Sequence, residues 1–491
     1  MVLDERLERA RQKVVLALDV DNIDAALDLV ERLNPYVGMF KIGLELITAG
    51  LAHNVISAIK LKGGKIFYDG KFKDIPNTVG SSSKQAAKLG VKIFNVHASA
   101  GMPAMLEAVK NKGRSKVYAV SVLTSFDENN SNIVYGGPTK AKVLQMAREA
   151  TLAGCDGLIC SPQELEMLKA CPELSSLKRM TPGIRPAFAQ INDQKRVMTP
   201  AEAIEAGAHL LVIGRPITKP DGGLTPEEAA MKVLEEIAPV LDNQMEVRGT
   251  EIMKIFEDSK AIITGSHIVY TSGKHGEAYV NKDAIYPHTA KVSRLCQFIA
   301  EDFENEEIDA VVGPVVGGVS LSQWTAHHLS RLQGKEILAI SADKYEILSG
   351  KQVVEEMCRF MSIESLYEKI PGLQTIVDEV PGWTDFTIKR GQDRFIPGKR
   401  ILIVEDILTT GGSVKKVVKI VELLAGEIVG VGALCNRGGV TPEQIGNVPV
   451  LKALVNVKLE AFDETDCPYC KEGVPINTSV GKGAEYLKNK R

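Results

Sequence analysis

Two short stretches of this 491-residue chain carry the residue types that chemistry requires. The first is Asp69-Gly70-Lys71-Phe72-Lys73-Asp74, which follows the apolar run Ile66-Phe67-Tyr68. If that run is a strand, side chains alternate between its faces, and Asp69 and Lys71 share one of them. An ammonium held among carboxylates there is a proton donor, and burying the array is tolerable only if the charges are tightly paired. A solvated ion pair is the plainer reading of the same residues. The second stretch is Ile401-Leu402-Ile403-Val404, then Glu405-Asp406, Ile407-Leu408, Thr409-Thr410, Gly411-Gly412 and Ser413. Its glycines let backbone N–H groups approach an anion at a helix start, and its three hydroxyls add donors. Such a loop suits a phosphate, while the acids suit sugar hydroxyls or a magnesium ion carried by a diphosphate. A plain strand-turn-helix is the alternative.

The elements that must position these residues differ between the halves. Short β-rich runs recur from Val14, Met39, Lys65, Val91, Val117, Asp156, Arg179 and Leu210, with helix-length segments between them. Eight strand-helix units predict a (β/α)8 TIM barrel, whose chemistry sits at the C-terminal strand ends. Those ends are Asp19, Lys41, Asp69 with Lys71, His97, Thr124, Ser161, Gly183, and Gly214 with Arg215. His97 reads as a satisfied structural histidine. A helix from Pro226 is expected to end near Leu241 and another to start near Met245, which places a boundary at 242 and domains at 1–241 and 242–491. The second half has strands from Asp309, Glu336, Asp385, Arg400 and Ile428, the pattern of an open, mainly parallel α/β sheet. Residues 343–384 fit it poorly and read as an insertion or lid.

Composition narrows the function classes. Hydrophobic residues make up 44% and charged residues 25%, with a formal net charge of −3. That balance argues against nucleic acid as a general partner. A charged N-terminal stretch and the lack of an apolar run of roughly 20 residues point away from a membrane and toward the cytoplasm. Among eight cysteines only Cys467 and Cys470 form a close pair. With no second CxxC and no nearby HxxxH, the expectation is two reduced thiols at a turn rather than zinc.

The segment DGKFKDIPNT resembles the DxKxxDIPxT signature of orotidine 5′-phosphate decarboxylases. The likeness runs over about residues 10–220 and takes in LDV ending at Val20, FKIG from Phe40, LTS from Leu123, TPGIRP from Thr181, DQKRVMTP from Asp193 and VIGRPIT from Val212. It implies that Lys71 protonates C6 of the pyrimidine as carbon dioxide leaves, with Asp69 near the substrate carboxylate and Asp74 reaching into a neighbouring subunit. Lys41 completes the catalytic array and, with Asp19, contacts the ribose hydroxyls. Thr78 and Thr124 help hold the nucleotide, and Arg185, Gln194, Gly214 and Arg215 hold its phosphate. The resemblance further implies a homodimer or higher oligomer and no cofactor for this step. DxKxxD also occurs in magnesium-dependent sugar-phosphate barrels, against which Lys41, IPNT and the TPGIR and DQKR segments speak.

VEDILTTGGS resembles the phosphoribosyl pyrophosphate motif of type I phosphoribosyltransferases, and Gly313 to Gly318 resembles their pyrophosphate loop. The likeness implies that Glu405, Asp406, Thr409, Thr410, Gly411, Gly412 and Ser413, with Lys389 and Arg390, bind phosphoribosyl pyrophosphate. Its Mg2+ would arrive with it, and no protein side chain is expected to ligate the ion directly. Thr271 to Asp283 resembles the base-binding segment of orotate phosphoribosyltransferases. It implies orotate contacts from Ser272, Gly273, Lys274, Tyr279, Thr409 and Arg437. The sequence departs from that family at three places. Thr271 and Gly317 stand where lysines are frequent, and the loop Arg390 to Gly398 lacks Lys-x-His, leaving Arg394 as a substitute. Together the resemblances imply one chain that makes orotidine 5′-phosphate and then decarboxylates it to UMP. The competing reading makes the second half a non-catalytic phosphoribosyl pyrophosphate sensor.

Overall fold

The computed structural model describes residues 3–189, 197–270, 272–347, 383–457 and 460–489. The chain divides into two units, Met1–Val247 and Arg248–Arg491. The division falls inside one helix, Pro226–Asp258. This corrects the expected break between Leu241 and Met245. Asp242, Asn243 and Gln244 are polar, but none is a glycine or proline that would end a helix.

In the first unit eight parallel strands close into a barrel: β1 (Val14–Ala17), β2 (Met39–Ile42), β3 (Ile66–Phe72), β4 (Ile93–His97), β5 (Lys116–Val120), β6 (Gly157–Ile159), β7 (Lys178–Thr181) and β8 (Leu210–Ile213). The eight runs expected from the sequence are all present. Alternation along each strand sorts two cores. Val15, Met39, Phe67, Ile93, Tyr118 and Met180 fill the barrel interior. Leu16, Phe40, Ile42 and Phe94 belong to the other core, shared with the surrounding helices. One pleat beyond Met39, Phe67 and Ile93 the inward positions are Lys41, Asp69 and Asn95. The same face that closes the barrel floor with hydrocarbon thus opens its mouth with charge.

The second unit begins with two short antiparallel ribbons. In one, β9 (Ile262–Ile263) pairs with β12 (Tyr279–Val280), and in the other β10 (Ile268–Val269) pairs with β11 (His275–Gly276). A six-stranded sheet follows, made of β13 (Ala310–Pro314), β14 (Leu338–Ile347), β15 (Trp383–Thr387), β16 (Arg400–Leu408), β17 (Glu427–Asn436) and β18 (Leu451–Asn456). Its spatial order is β15-β14-β13-β16-β17-β18, parallel except for the edge strand β15. Leu402 and Val404 face a core shared with helices Thr289–Asp302 and Gly317–Gln333. Ile401 and Ile403 face one shared with helix Gly412–Leu423. Burial on both faces explains why the run before Glu405 is apolar without alternation. The stretch 343–384 is not wholly an insertion, because its ends are strand: β14 runs on to Ile347 and pairs antiparallel with β15. Residues 348–382 lie outside the described ones.

Candidate functional site

Four charged side chains meet at the barrel mouth. Lys41 Nζ donates to Asp19 Oδ1 at 2.9 Å and lies 3.4 Å from Asp69 Oδ2, while Lys71 Nζ reaches the same Asp69 oxygen at 2.6 Å. Asp69 is 6% and Lys41 9% exposed, so each charge depends on its partners for the solvation it has lost. Strand alternation put Asp69 and Lys71 on one face, and they do meet, though not along a regular strand. The β3–β4 register shifts between Tyr68 and Phe72, and Lys71 takes a left-handed backbone with φ 48°. A non-glycine residue there is uncommon and costs of order 1–3 kcal/mol, which the surrounding structure must supply.

Asn95 supplies part of it. Fully buried on β4, it donates from Nδ2 to Asp69 Oδ1 at 2.6 Å and accepts the Lys71 backbone N–H at 2.7 Å. Sequence reasoning missed this residue. The signal was an amide at an inward position between Phe94 and Val96, where a polar side chain must find partners. Asn95→Ala should lower turnover at this site by about 100-fold, the penalty of a catalytic group displaced by an ångström. Steady-state kinetics would show the loss in kcat; unchanged kcat would mean that the bulge holds Lys71 alone.

The charged array lines a cavity of about 290 Å³ together with Thr124, Gly183, Arg185, Gly214 and Arg215. Arg185 is 8% exposed, and its Nη1 donates to the Ile184 carbonyl at 3.0 Å. A Cβ on Gly214 would sit 3.3 Å from the Ala17 Cβ and 3.5 Å from Asp19 Oδ2, so glycine keeps that wall open. Asp74 and Thr78 are exposed and do not line the cavity. Gln194 lies outside the described residues. His97 also stays out of the cavity lining, but it is not the satisfied histidine that was expected. Its buried Nδ1 has no partner among the described residues. Burial, with Lys73 and Lys71 nearby, pushes its pKa down to about 4 and keeps the ring neutral at pH 7.

In the second unit β16 delivers Glu405 and Asp406 as buried side chains. Asp406 Oδ2 accepts from Lys282 Nζ and from the Tyr286 hydroxyl, both at 2.8 Å, and Oδ1 accepts from the Ile407 N–H at 2.7 Å. Burial, then the Asp406 charge beside it, pushes Glu405 up to about 8. Lys282 is lowered by burial but raised overall by its bond to Asp406. Gly411 has φ 73° and caps helix Gly412–Leu423, which places the glycine loop at a helix N-terminus as anion binding requires. Thr409, Thr410 and Ser413 stand on either side of the glycines. Gly317 backs onto the acids: a Cβ there would overlap Asp406 Oδ2 and the Tyr286 hydroxyl. A lysine at 317 therefore has no room in this arrangement.

Arg437 and Gly438 donate their N–H groups to the Leu408 carbonyl at 2.9 and 3.0 Å, and Arg437 Cζ lies 5.9 Å from the Tyr270 ring. A Cβ on Gly438 would overlap the Thr409 carbonyl oxygen. Gly438→Ala should therefore cost about 1–3 kcal/mol as the loop shifts to make room. Denaturant midpoints would measure it, and an unchanged midpoint would show the loop to be free to move. Ser272, Gly273 and Lys274 form an exposed turn in which the Gly273 N–H donates to the Tyr270 carbonyl at 2.9 Å. Lys274 pairs with Asp463 at 3.4 Å, and Tyr279 lies on β12. Thr271 lies outside the described residues. Lys389 and Arg390 are exposed, Arg390 with φ 60°, and Arg394 covers the Phe395 ring at 4.7 Å.

Residues 12–233 match the model of the orotidine 5′-phosphate decarboxylase / HUMPS family, and residues 281–462 that of the phosphoribosyl transferase domain. The chain is 42% identical over 239 residues to an orotidine 5′-phosphate decarboxylase from Geotalea daltonii, covering 47% of this chain and 98% of that one. The chain belongs to the orotidine 5′-phosphate decarboxylase family. A decarboxylase structure from Lactobacillus acidophilus is similar at 33% identity and TM-score 0.40, over 46% of this chain and 98% of its own. A Leishmania donovani UMP synthase structure is similar at 16% identity and TM-score 0.41, over 100% of both chains. The chain thus joins a decarboxylase-family barrel to a phosphoribosyl transferase domain in one polypeptide.

Proposed function

We propose that the C-terminal domain transfers the phosphoribosyl group of phosphoribosyl pyrophosphate to orotate, and that the barrel decarboxylates the resulting orotidine 5′-phosphate to UMP. The observation that carries this reading is the Asp19, Lys41, Asp69 and Lys71 array at the barrel mouth. Asp69 stands beside the departing carboxylate. As the C6–carboxylate bond breaks, its electron pair stays on C6, and Lys71 Nζ delivers a proton there. Carbon dioxide leaves, and the amine recovers its proton from solvent. The charges stand in place before substrate arrives, so little reorganisation is needed as charge develops on C6. Asp19 and Lys41 hold the ribose, Thr124 the nucleotide, and Arg185, Gln194, Gly214 and Arg215 the phosphate, whose binding energy helps to organise the site. The exposed Asp74 and Thr78 act across a homodimer interface, in the site of a second copy.

In the transferase site the loop Thr409 to Ser413 takes the 5′-phosphate, and Glu405 and Asp406 take the ribose hydroxyls. Lys389 and Arg390 take the pyrophosphate. Ser272, Gly273, Lys274, Tyr279, Thr409 and Arg437 surround orotate, Arg437 facing its carboxylate. The carboxylates and hydroxyls are all oxygen donors, the set that fits magnesium. Mg2+ arriving with the diphosphate would supply positive charge to balance the departing pyrophosphate. Both reactions belong to the cytoplasm; among the described residues no helix is long and apolar enough to cross a membrane.

A stopped assay with orotate, phosphoribosyl pyrophosphate and Mg2+ tests both steps at once. UMP should accumulate. Orotidine 5′-phosphate alone would mean that the barrel array is not a working decarboxylase. No turnover, with decarboxylation of supplied orotidine 5′-phosphate intact, would favour the sensor reading of the second domain.

A further inference from the structure

The CPYC segment, expected to be a pair of isolated thiols, has company. Cys467 caps the one-turn helix Pro468–Lys471 and Cys470 lies within it, and residues three apart on a helical turn face the same way. Opposite them stand His267 and His275, about two hundred residues earlier in the chain and so invisible to a search for closely spaced ligands. His267 Nε2, His275 Nδ1 and the two sulfurs all lie within 4.8 Å of one another. The nitrogens are 2.8 Å apart. Cys470 Sγ is 3.5 Å from His267 Nε2 and 3.3 Å from His275 Nδ1, and Cys467 Sγ is 3.6 Å from His267 Nε2. Tetrahedral zinc with ordinary Zn–S and Zn–N bonds sets its sulfur and nitrogen ligands about 3.6 Å apart and two nitrogens about 3.3 Å apart. An ion at the centre asks the imidazoles to part by about half an ångström, while the sulfur–nitrogen separations of 3.3, 3.5 and 3.6 Å already lie close to the tetrahedral value.

The surroundings of the cluster fit a closed structural site. His267 is 2%, His275 0% and Cys467 0% exposed. The Val474 carbonyl oxygen lies 2.7 Å from His267 Nδ1. That contact places the proton on Nδ1 and turns the Nε2 lone pair toward the sulfurs, the usual outer partner of a metal-bound histidine. The backbone fixes the same geometry twice over. The Asn477 N–H donates to the His267 carbonyl, while His275 and Phe462 exchange both of their backbone bonds, all at 2.8 Å. Two histidines and two cysteines, enough to fill all four positions of a closed site, are the donor set of structural zinc rather than of a hard cation.

The geometry points to a Cys2His2 zinc site that staples the C-terminal segment around Cys467–Cys470 to the β10–β11 ribbon. The turn that this ribbon carries includes Ser272, Gly273 and Lys274, three of the six residues assigned above to orotate, and only that consequence rests on the functional reading. The test is zinc content by mass spectrometry of the full-length chain, produced without a metal-binding tag in zinc-supplemented medium and dialysed extensively. One zinc per chain is expected. It should be lost in Cys470→Ser and in His275→Ala, and kept in Cys435→Ser, which removes a buried thiol elsewhere in the same domain. Chain refolded with cobalt should show thiolate-to-cobalt charge-transfer and tetrahedral ligand-field bands that are absent from Cys470→Ser, a readout independent of activity. Zinc well below stoichiometric in the wild type, a Cys467–Cys470 disulfide in freshly purified protein, or stoichiometric zinc surviving both ligand substitutions would each overturn the site.

Discussion

Replacing Lys71 with alanine is expected to lower the decarboxylation of supplied orotidine 5′-phosphate by on the order of 10⁴-fold or more, while orotidine 5′-phosphate formation continues. The size of the loss follows from two roles in one group. In the proposed mechanism Lys71 donates the proton to C6, and its charge balances the carbanion that develops there. Alanine is an informative replacement because it keeps the Cβ, and with it the backbone penalty of φ 48°, so the variant differs chiefly in the missing ammonium. Nor is Asp69 stranded, since Lys41 remains 3.4 Å from it and Asn95 still donates to its other oxygen. The barrel should therefore fold, and the deficit should be chemical. Parallel assays of the two half-reactions on one preparation decide the point. A folded variant that has lost both activities would sink the idea of two independent sites.

Much of this site could be read from one strand. Lys41, Asp69 and Lys71 were legible because charged residues ended apolar runs that recurred eight times, and a barrel gives such ends only one destination. The strand ends at Thr124, Gly214 and Arg215 followed from the same rule and do line the cavity. What escaped was what local pattern does not encode. Asn95 looks like one polar residue in an apolar strand until its register against β3 is known. The bulge that turns Lys71 depends on a neighbouring strand, and the missing partner of His97 Nδ1 depends on everything packed around it.

The second domain was legible by motif and less so by contact. Strands β13, β14, β16 and β17 were each marked by an apolar run, but β18 was not, because Leu451 to Asn456 is an edge with one strand partner and a weaker pattern. The helix through residues 242 to 258 was broken too early because a polar patch was taken for a stop that only glycine or proline chemistry enforces. The histidines facing Cys467 and Cys470 were the largest omission. Metal ligands contributed by a ribbon and a distant C-terminal turn share no spacing, and the backbone pairings of His275 with Phe462 and of His267 with Ile476 bring them together.

Asp406→Ala should produce the reverse of the lysine variant: phosphoribosyl transfer reduced by roughly 10² to 10³-fold, as when one preorganised polar group is removed from an active site, with decarboxylation unaffected. Asp406 organises more than itself. Its Oδ2 holds both Lys282 and the Tyr286 hydroxyl at 2.8 Å, so its removal frees a cation and a phenol beside the ribose position as well as deleting an acceptor. The variant also reports on Glu405. Burial and the Asp406 charge together raise Glu405 from 4.5 to about 8, so the folded protein keeps a proton there that the unfolded chain has released. With more protons bound in the folded state, stability falls as pH rises from 4.5 through about 8. Without Asp406 the repulsive part of that shift vanishes, and the decline should end at a lower pH. Thermal unfolding of wild type and variant across that window measures the change. Identical profiles would place the cause in burial alone, and normal transferase activity would remove Asp406 from the ribose site.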